Sequence, residues 1–419
     1  MKRFLMYLFT LLLICQMSAQ TLTLDSCQSK ARKNYPLLKQ YGLIEKTAEY
    51  NLANAGKGYL PQFNLSARAT YQSEVTKLPI SLPGVTIPEL SKDQYQASLE
   101  LSQLIWDGGV IQAQKKGIKA SAEAEKQKLE VDLYALKDRV NQLYFGIMLI
   151  NEQLRLNGIL QDELARNYER ISALKTNGIV GQSDVDAIKV EQINAVQKET
   201  ELLSTRTSFL QMLSAFTGME ITENTLLDKP MMETVNANSE VKRPELLYLN
   251  AQNEVLESQK DLIKAGNLPK IGAFIQGGYG KPGLNMLSNE LSPFYIGGLR
   301  LSWNLSGFYT QKTNLQKIDI GKKNIDIQKE TFLFNNSLFS KQQLNEIEKL
   351  KTTIGNDDEI IRLRNNIKKS TEAKLQNGTA TVNDLLRDIN AETIAQQTKL
   401  MHEIQLYLTV YQFKNNINN

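Results

Sequence analysis

Apolar positions along most of the chain recur with one of two periods, and the switch between them marks out its elements. In YLPQFNLSARATYQSEV (Tyr59–Val75), Phe63, Leu65, Ala67, Ala69 and Tyr71 alternate with Asn64, Ser66, Arg68, Thr70 and Gln72. A strict period of two predicts a strand with one apolar and one polar face. QYQASLELS (Gln94–Ser102) repeats the pattern, setting Tyr95, Ala97, Leu99 and Leu101 against Gln96, Ser98, Glu100 and Ser102. Two later stretches, NLPKIGAFIQGGYG (Asn267–Gly280) and FYIGGLRLSWNLSG (Phe294–Gly307), predict a second pair. In the last of these Gly297, Leu299, Leu301 and Trp303 oppose Gly298, Arg300 and Ser302. Strands are expected over about 62–75, 94–105, 270–280 and 294–305.

After each strand pair the period becomes helical. Leu129, Leu133, Leu136, Val140, Leu143, Ile147, Ile150 and Leu154 follow steps of four and three, the spacing of a coiled-coil seam. One helix is expected from about Val110 to Leu174, which at 1.5 Å per residue is on the order of 100 Å. A second, more polar one is expected from about Thr310 to Gln376, with returning helices over Asp184–Thr217 and Asp384–Asn415. The turns are LKTNGIVGQSDVD (Leu174–Asp186) and KLQNGTATVNDLL (Lys374–Leu386), with tips at 175–183 and 376–383. Each opens on a helix-stopping Asn-Gly, and Ser183 reads as the N-cap before Asp184. Pro61 matches Pro269, Trp106 matches Trp303, and Asn177-Gly178 matches Asn377-Gly378, at separations of 208, 197 and 200 residues. The chain therefore reads as an internal duplication. Its first repeat covers 20–217 and its second 245–419, with a polar linker at 218–244.

Composition narrows the class. A hydrophobic fraction of 42% and a mean hydropathy of −0.34 exclude a bundle of membrane-spanning helices. The exception is the start, where Lys2 and Arg3, the apolar run Phe4–Ile14 and the small residue Ala19 read as a signal peptide over 1–19. That run is too short to span a bilayer. Ile14 is too large for a lipobox, so lipidation of Cys15 is not expected. The formal charge of +4 falls to +2 without Lys2 and Arg3, and no basic stripe points to nucleic acid. Cys27 is then the one cysteine left, so no internal disulfide can form. Packing or oligomerisation must hold an exported chain of this length together.

Catalytic chemistry has little to work with. The single histidine, His402, lies within a helical pattern and reads as packed or exposed rather than as a general base. No metal-ligand spacing is visible. GYGKPG (Gly278–Gly283) fits a dinucleotide fingerprint by letter, but Pro282 and the residues after it do not open a long helix. Neither cofactor, metal nor enzymatic activity is expected.

The strands are more informative. Four cannot close a lipid-spanning barrel in one chain, because about eight are needed. Closure would come from several chains, which leaves no open edge in lipid. Leu65, Leu99, Leu101, Leu299 and Leu301 would face lipid. Tyr71, Tyr95, Tyr279, Phe294 and Tyr295 lie at the loop-facing ends, and Phe63, Trp106 and Trp303 at the helix-facing ends, as two aromatic girdles. Trp106 has the wrong parity for the lipid face unless a bulge precedes it. The competing reading is a soluble exported helical rod acting as a scaffold.

The whole mature chain resembles the TolC family of outer-membrane channel-tunnels. The resemblance rests on LTLDSCQSKARKNYPLL (Leu22–Leu38), the strand starts at Pro61 and Pro269, and LIWDGG (Leu104–Gly109). The tips NGIVGQSDV (Asn177–Val185) and NGTATVNDLL (Asn377–Leu386) complete it. It implies an α+β membrane protein in which long coiled-coil hairpins form a periplasmic α-barrel and four strands join a trimeric twelve-stranded β-barrel. It further implies a homotrimer in the outer membrane of a Gram-negative bacterium. A periplasmic adaptor and an inner-membrane RND or ABC transporter would be its partners. Gly178, Ile179, Val180, Gly378 and Thr379 match the adaptor-contact turns. Asp384 falls at the family's gate aspartate and Asp184 at the equivalent place in the first repeat. Arg387 stands where a second aspartate is often found, and Leu375 and Ala380 replace polar gate partners seen in some members.

Overall fold

The computed structural model describes residues 21–76, 90–232 and 240–418. The expected signal peptide and Cys15 lie outside them. Among the described residues four strands and eight α-helices are laid out in the order expected of a duplicated strand–strand–hairpin unit. Helices α1 (Leu24–Asn34) and α2 (Gln40–Gly56) lead into β1 (Gln62–Tyr71) and β2 (Asp93–Trp106). Then come α3 (Val110–Tyr134), α4 (Leu136–Thr176) and α5 (Gln182–Thr217). The second half has α6 (Pro244–Gly266), β3 (Lys270–Lys281), β4 (Ser292–Ser302), α7 (Gly307–Gln376) and α8 (Val382–Ile417). Two compact units result. One takes Gln40–Lys128 and Leu247–Lys329 and holds the sheet, and the other takes the remainder and holds both hairpin turns.

The sheet is antiparallel in the order β1-β2-β3-β4, with Leu65 opposite Leu99, Leu101 opposite Ile275 and Ile271 opposite Leu301. β1 and β4 are its two edges. The register shifts between Leu104 and Trp106, so that Trp106 pairs with Ile271. This bulge at Ile105 carries Trp106 onto the face of Leu99 and Leu101, resolving the parity conflict. Phe294 departs from expectation. It pairs with Gly278, shares the polar face with Arg300 and is 8% exposed, so it belongs to no girdle.

The WDGG corner joins the sheet to α3. Asp107, 3% exposed, accepts from the backbone N–H of Gly109 (2.9 Å) and Ile111 (2.6 Å) and so caps the helix start. Gly108 has φ +72°, and a Cβ there would stand 2.8 Å from Cβ of Leu268, so this corner requires glycine.

In the other unit the expected helix from Val110 is interrupted at Ala135, which keeps right-handed dihedrals (φ −61°, ψ −18°). The break is in the hydrogen-bond pattern, not in handedness. From Leu129 to Ile150 every seam position is buried, and the same spacing continues through Asn157, Leu164 and Ile171. Asn157 donates to the carbonyl of Ala195 (2.9 Å), a polar insertion that fixes the register of α4 on α5. A cluster around Val140, Tyr144, Phe145, Leu213, Ile404 and Tyr407 packs α1 and both hairpins together, and encloses Cys27. Burial pushes the Cys27 thiol up to about 12, leaving it inert.

The second hairpin is held differently. Asn336 and Asn416 exchange bonds (2.7 and 3.1 Å), and His402 Nδ1 meets Asp357 Oδ2 at 2.6 Å. Lys368 meets Glu392 (2.6 Å), and Thr371 donates to Asp388 (2.7 Å). These polar pairs are added to an apolar cluster of Ile347, Leu350, Leu406, Val410 and Phe413, so the second seam mixes the two kinds of contact.

Candidate functional site

Both hairpin turns close on the same hydrogen-bond scheme. After α4, Gly178 N–H donates to Lys175 O (2.9 Å) and Ile179 N–H to Leu174 O (3.0 Å). After α7, Gly378 N–H donates to Leu375 O (3.1 Å) and Thr379 N–H to Lys374 O (2.9 Å). Each is a Schellman motif, with its glycine in the left-handed region at φ +73° and +69°. Gly178, Ile179, Gly378 and Thr379 are all exposed, while Val180 and Ala380 lean onto the core below.

That core joins the turns. Leu164, Ile171, Val185 and Ile188 of the first hairpin pack with Leu375, Val382, Leu385 and Ile389 of the second. Leu375 is therefore a buried apolar residue. It closes the gap between hairpins by packing, where a polar gate partner would do so by hydrogen bonding.

The two aspartates occupy equivalent places. The expected cap at Ser183 is corrected: Gly181 is the N-cap and Asp184 sits at the third helical position, accepting from Gly181 N–H (2.9 Å). Asp384 does the same for Thr381, accepting from its N–H (3.1 Å) and hydroxyl (2.7 Å), while Thr381 Oγ1 accepts from Asp384 N–H (3.1 Å). This is a complete capping box. Arg387 lies 3.3 Å from Asp384 on the same turn. The Thr381 bonds, aided by Arg387, hold the Asp384 carboxyl below the usual range. Further in, Lys368 of α7 lies 2.7 Å from Glu163 of α4 and 2.6 Å from Glu392 of α8, and Asn365 also donates to Glu392 (2.8 Å). Burial lowers the Lys368 pKa, but its two carboxylate partners outweigh that and raise it. This cross-hairpin triad was not legible in the sequence, because nothing in its spacing sets it apart from a solvated helix face.

The sheet is the second surface. Its apolar face is exposed along its length, with Leu65 at 77%, Leu299 at 76% and Leu301 at 67%. Tyr71, Tyr95, Tyr279 and Tyr295 lie on that face toward the loop ends. Trp106 is at the helix end opposite Ile271, and Trp303, just past β4, donates from Nε1 to Asn267 O (3.0 Å). Asp93 and Lys281, the charges at the loop end of this face, are paired at 3.4 Å. The other face carries a polar network in which Ser66 and Ser98 (3.1 Å), Gln276 and Ser98 (2.8 Å) and Arg68 and Gln96 (2.9 Å) are joined. A soluble sheet buries its apolar face and wets its polar one; here no described residue covers the apolar face. Among the described residues no helix is long and apolar enough to cross a membrane, and none form a metal-binding cluster.

A sheet with an exposed apolar face and open edges, in a chain that also folds into two long helical hairpins, is the architecture expected of an outer-membrane channel subunit. The outer membrane efflux protein family matches over residues 28–219. The fold extends the likeness to nearly the whole chain. The transmembrane channel CusC shares it at TM-score 0.68 and 13% identity, over 94% of this chain and 91% of CusC. VceC, an outer membrane protein of Vibrio cholerae, does so at 0.66 and 14%, over 93% and 95%. The CmeC outer membrane channel of Campylobacter jejuni follows at 0.64 and 13%, over 94% and 85%. Among curated protein sequences none matches. The chain thus resembles the outer membrane efflux protein family over residues 28–219 and shares the fold of these channels over nearly its whole length.

Proposed function

We propose that three copies of this chain form a passive exit duct, carrying solutes from an inner-membrane pump and a periplasmic adaptor to the outside. β4 of each copy would pair with β1 of the next, giving twelve strands and satisfying edge groups that lipid cannot. The observation that carries the reading is the exposed apolar face of the sheet, banded by aromatics, with a polar network behind it. A soluble rod has no use for such a face. Energy would come from an RND or ABC partner. The turns at Gly178–Val180 and Gly378–Thr379 would meet the adaptor. Asp384, Arg387 and Asp184 are the candidates for the inner gate.

Extraction in mild detergent tests the assembly. The complex should run at about three times the mass of the mature chain (47.4 kDa with the leader). A stable monomer would sink the proposal. Crosslinking in cells should recover an adaptor bound through the turns, and loss of crosslinks from Ile179 alone would argue against contact there.

A further inference from the structure

The polar face of the sheet is unbalanced in charge. Between the strand ends it bears Arg68, Lys270 and Arg300, but only one carboxylate, Glu100. Glu100 is already committed. Arg300 crosses β3 over the Phe274 ring, 4.5 Å from its centroid, to reach Glu100 at 3.3 Å. Arg68 bonds to the neutral amide oxygen of Gln96 (2.9 Å), and neither it nor Lys270 has a carboxylate partner among the described residues. Both are exposed. They sit far apart along the strands: Lys270 is at the helix end opposite Ser302, and Arg68 lies six residues into β1, about 20 Å from its start. On the apolar face, by contrast, Lys281 and Asp93 cancel.

We infer that this face is a cationic lining which favours anionic solutes, with Arg68 and Lys270 setting the preference. The inference rests on the trimeric barrel with its polar face inward. Each chain then contributes two uncompensated cations, one near each end. A unit charge about 8 Å away through water changes the local concentration of a monovalent ion about two-fold. The effect acts on every solute passing the wall and needs no binding pocket. It must fade with salt, since the screening length is about 10 Å at 0.1 M and about 3 Å at 1 M.

Cysteine reactivity reads the wall potential whether or not the inner gate is open. Cys27 is buried and gives a silent background. Thr70→Cys reports beside Arg68, Ser302→Cys beside Lys270, and Ala69→Cys on the opposite face. Mature chains reconstituted in lipid vesicles are treated with matched anionic and cationic thiosulfonates at low and at 1 M salt. At Thr70→Cys the anionic reagent should react faster at low salt, and Arg68→Gln should cut the anion-to-cation rate ratio about two-fold. Lys270→Gln should do the same at Ser302→Cys, and Glu100→Gln, which frees Arg300, should raise the ratio there. Ratios that ignore Arg68→Gln and Lys270→Gln, or that persist unchanged in 1 M salt, overturn the inference while leaving the duct intact. Water-borne labelling at Ala69→Cys with none at Thr70→Cys would instead overturn the inward polar face and the duct reading with it.

Discussion

Replacing Leu65 and then Ser66 by arginine sets the two faces of the sheet against each other at nearly one depth. Leu65 is fourth of the ten residues of β1, pairs with Leu99 and is 77% exposed within the chain. If this face meets lipid as proposed, its replacement puts a cation against hydrocarbon, at about 2–3 kcal/mol per chain and about 6–9 kcal/mol over the proposed trimer. Ser66 points the other way, and its one side-chain bond, to Ser98, is between neutral hydroxyls. Losing it costs about 1 kcal/mol per chain, and the new guanidinium would stand in water. The assay is folding into lipid vesicles across a urea series, read by the heat-resistant band of the assembled barrel on a gel. Leu65→Arg should move the midpoint far to low urea and Ser66→Arg only slightly. Equal shifts, or a larger one for Ser66→Arg, would refute the assignment of faces.

Other perturbations test the hairpin unit. Lys368→Met should leave Glu163 and Glu392 without their shared cation and destabilise that unit by about 3 kcal/mol, with Glu392→Gln in the same chain recovering part of it in thermal melts. Because the raised Lys368 pKa places its contribution below the unfolded value, that contribution should be complete at neutral pH and vanish only in strong alkali. Gly178→Ala and Gly378→Ala meet no neighbouring atom, so each should cost about 1–2 kcal/mol through the left-handed backbone alone, seen as faster amide exchange at the turns. Asp384→Asn should weaken the start of α8; the depressed carboxyl makes this difference full above the ordinary carboxylate value and absent once acid protonates Asp384 in the wild type. If Asp384 also forms an acidic ring in the trimer, Asp384→Asn should weaken, and Arg387→Ala strengthen, block of single-channel current by multivalent cations. Unchanged block in both would leave Asp384 as a capping residue.

Where alternation or a seven-residue apolar repeat fixes burial, the sequence reading and the fold agree closely. The first seam is buried from Leu129 to Ile150 as its spacing implies, because each of those positions is apolar; beyond them Leu154 is only half-buried and the buried step falls on Asn157 instead. The Asn-Gly pairs announced both turns, since glycine alone reaches the left-handed backbone there cheaply. Three features were illegible for definable reasons. The Ile105 bulge leaves no compositional trace, so Trp106 could only be flagged by its conflict in parity. The polar pairs of the second hairpin hide within a helix that reads as solvated, because hydrogen-bonding partners on α7 and α8 have no shared period to betray them. At the first turn Ser183 looked the better cap by residue type. Asp184, reaching back to Gly181, moved the helix start two residues earlier.

The two unpaired edges of the sheet have a genetic consequence. In the proposed trimer, closure through β4 onto β1 is head-to-tail, so every chain would have to present two sound edges, and one faulty edge would leave the whole ring open. A chain with a proline in β1 would therefore poison its partners rather than merely drop out. In a cell making equal amounts of sound and faulty chains, only about one ring in eight would be built wholly from sound ones. Loss-of-edge alleles of this protein should behave as dominant.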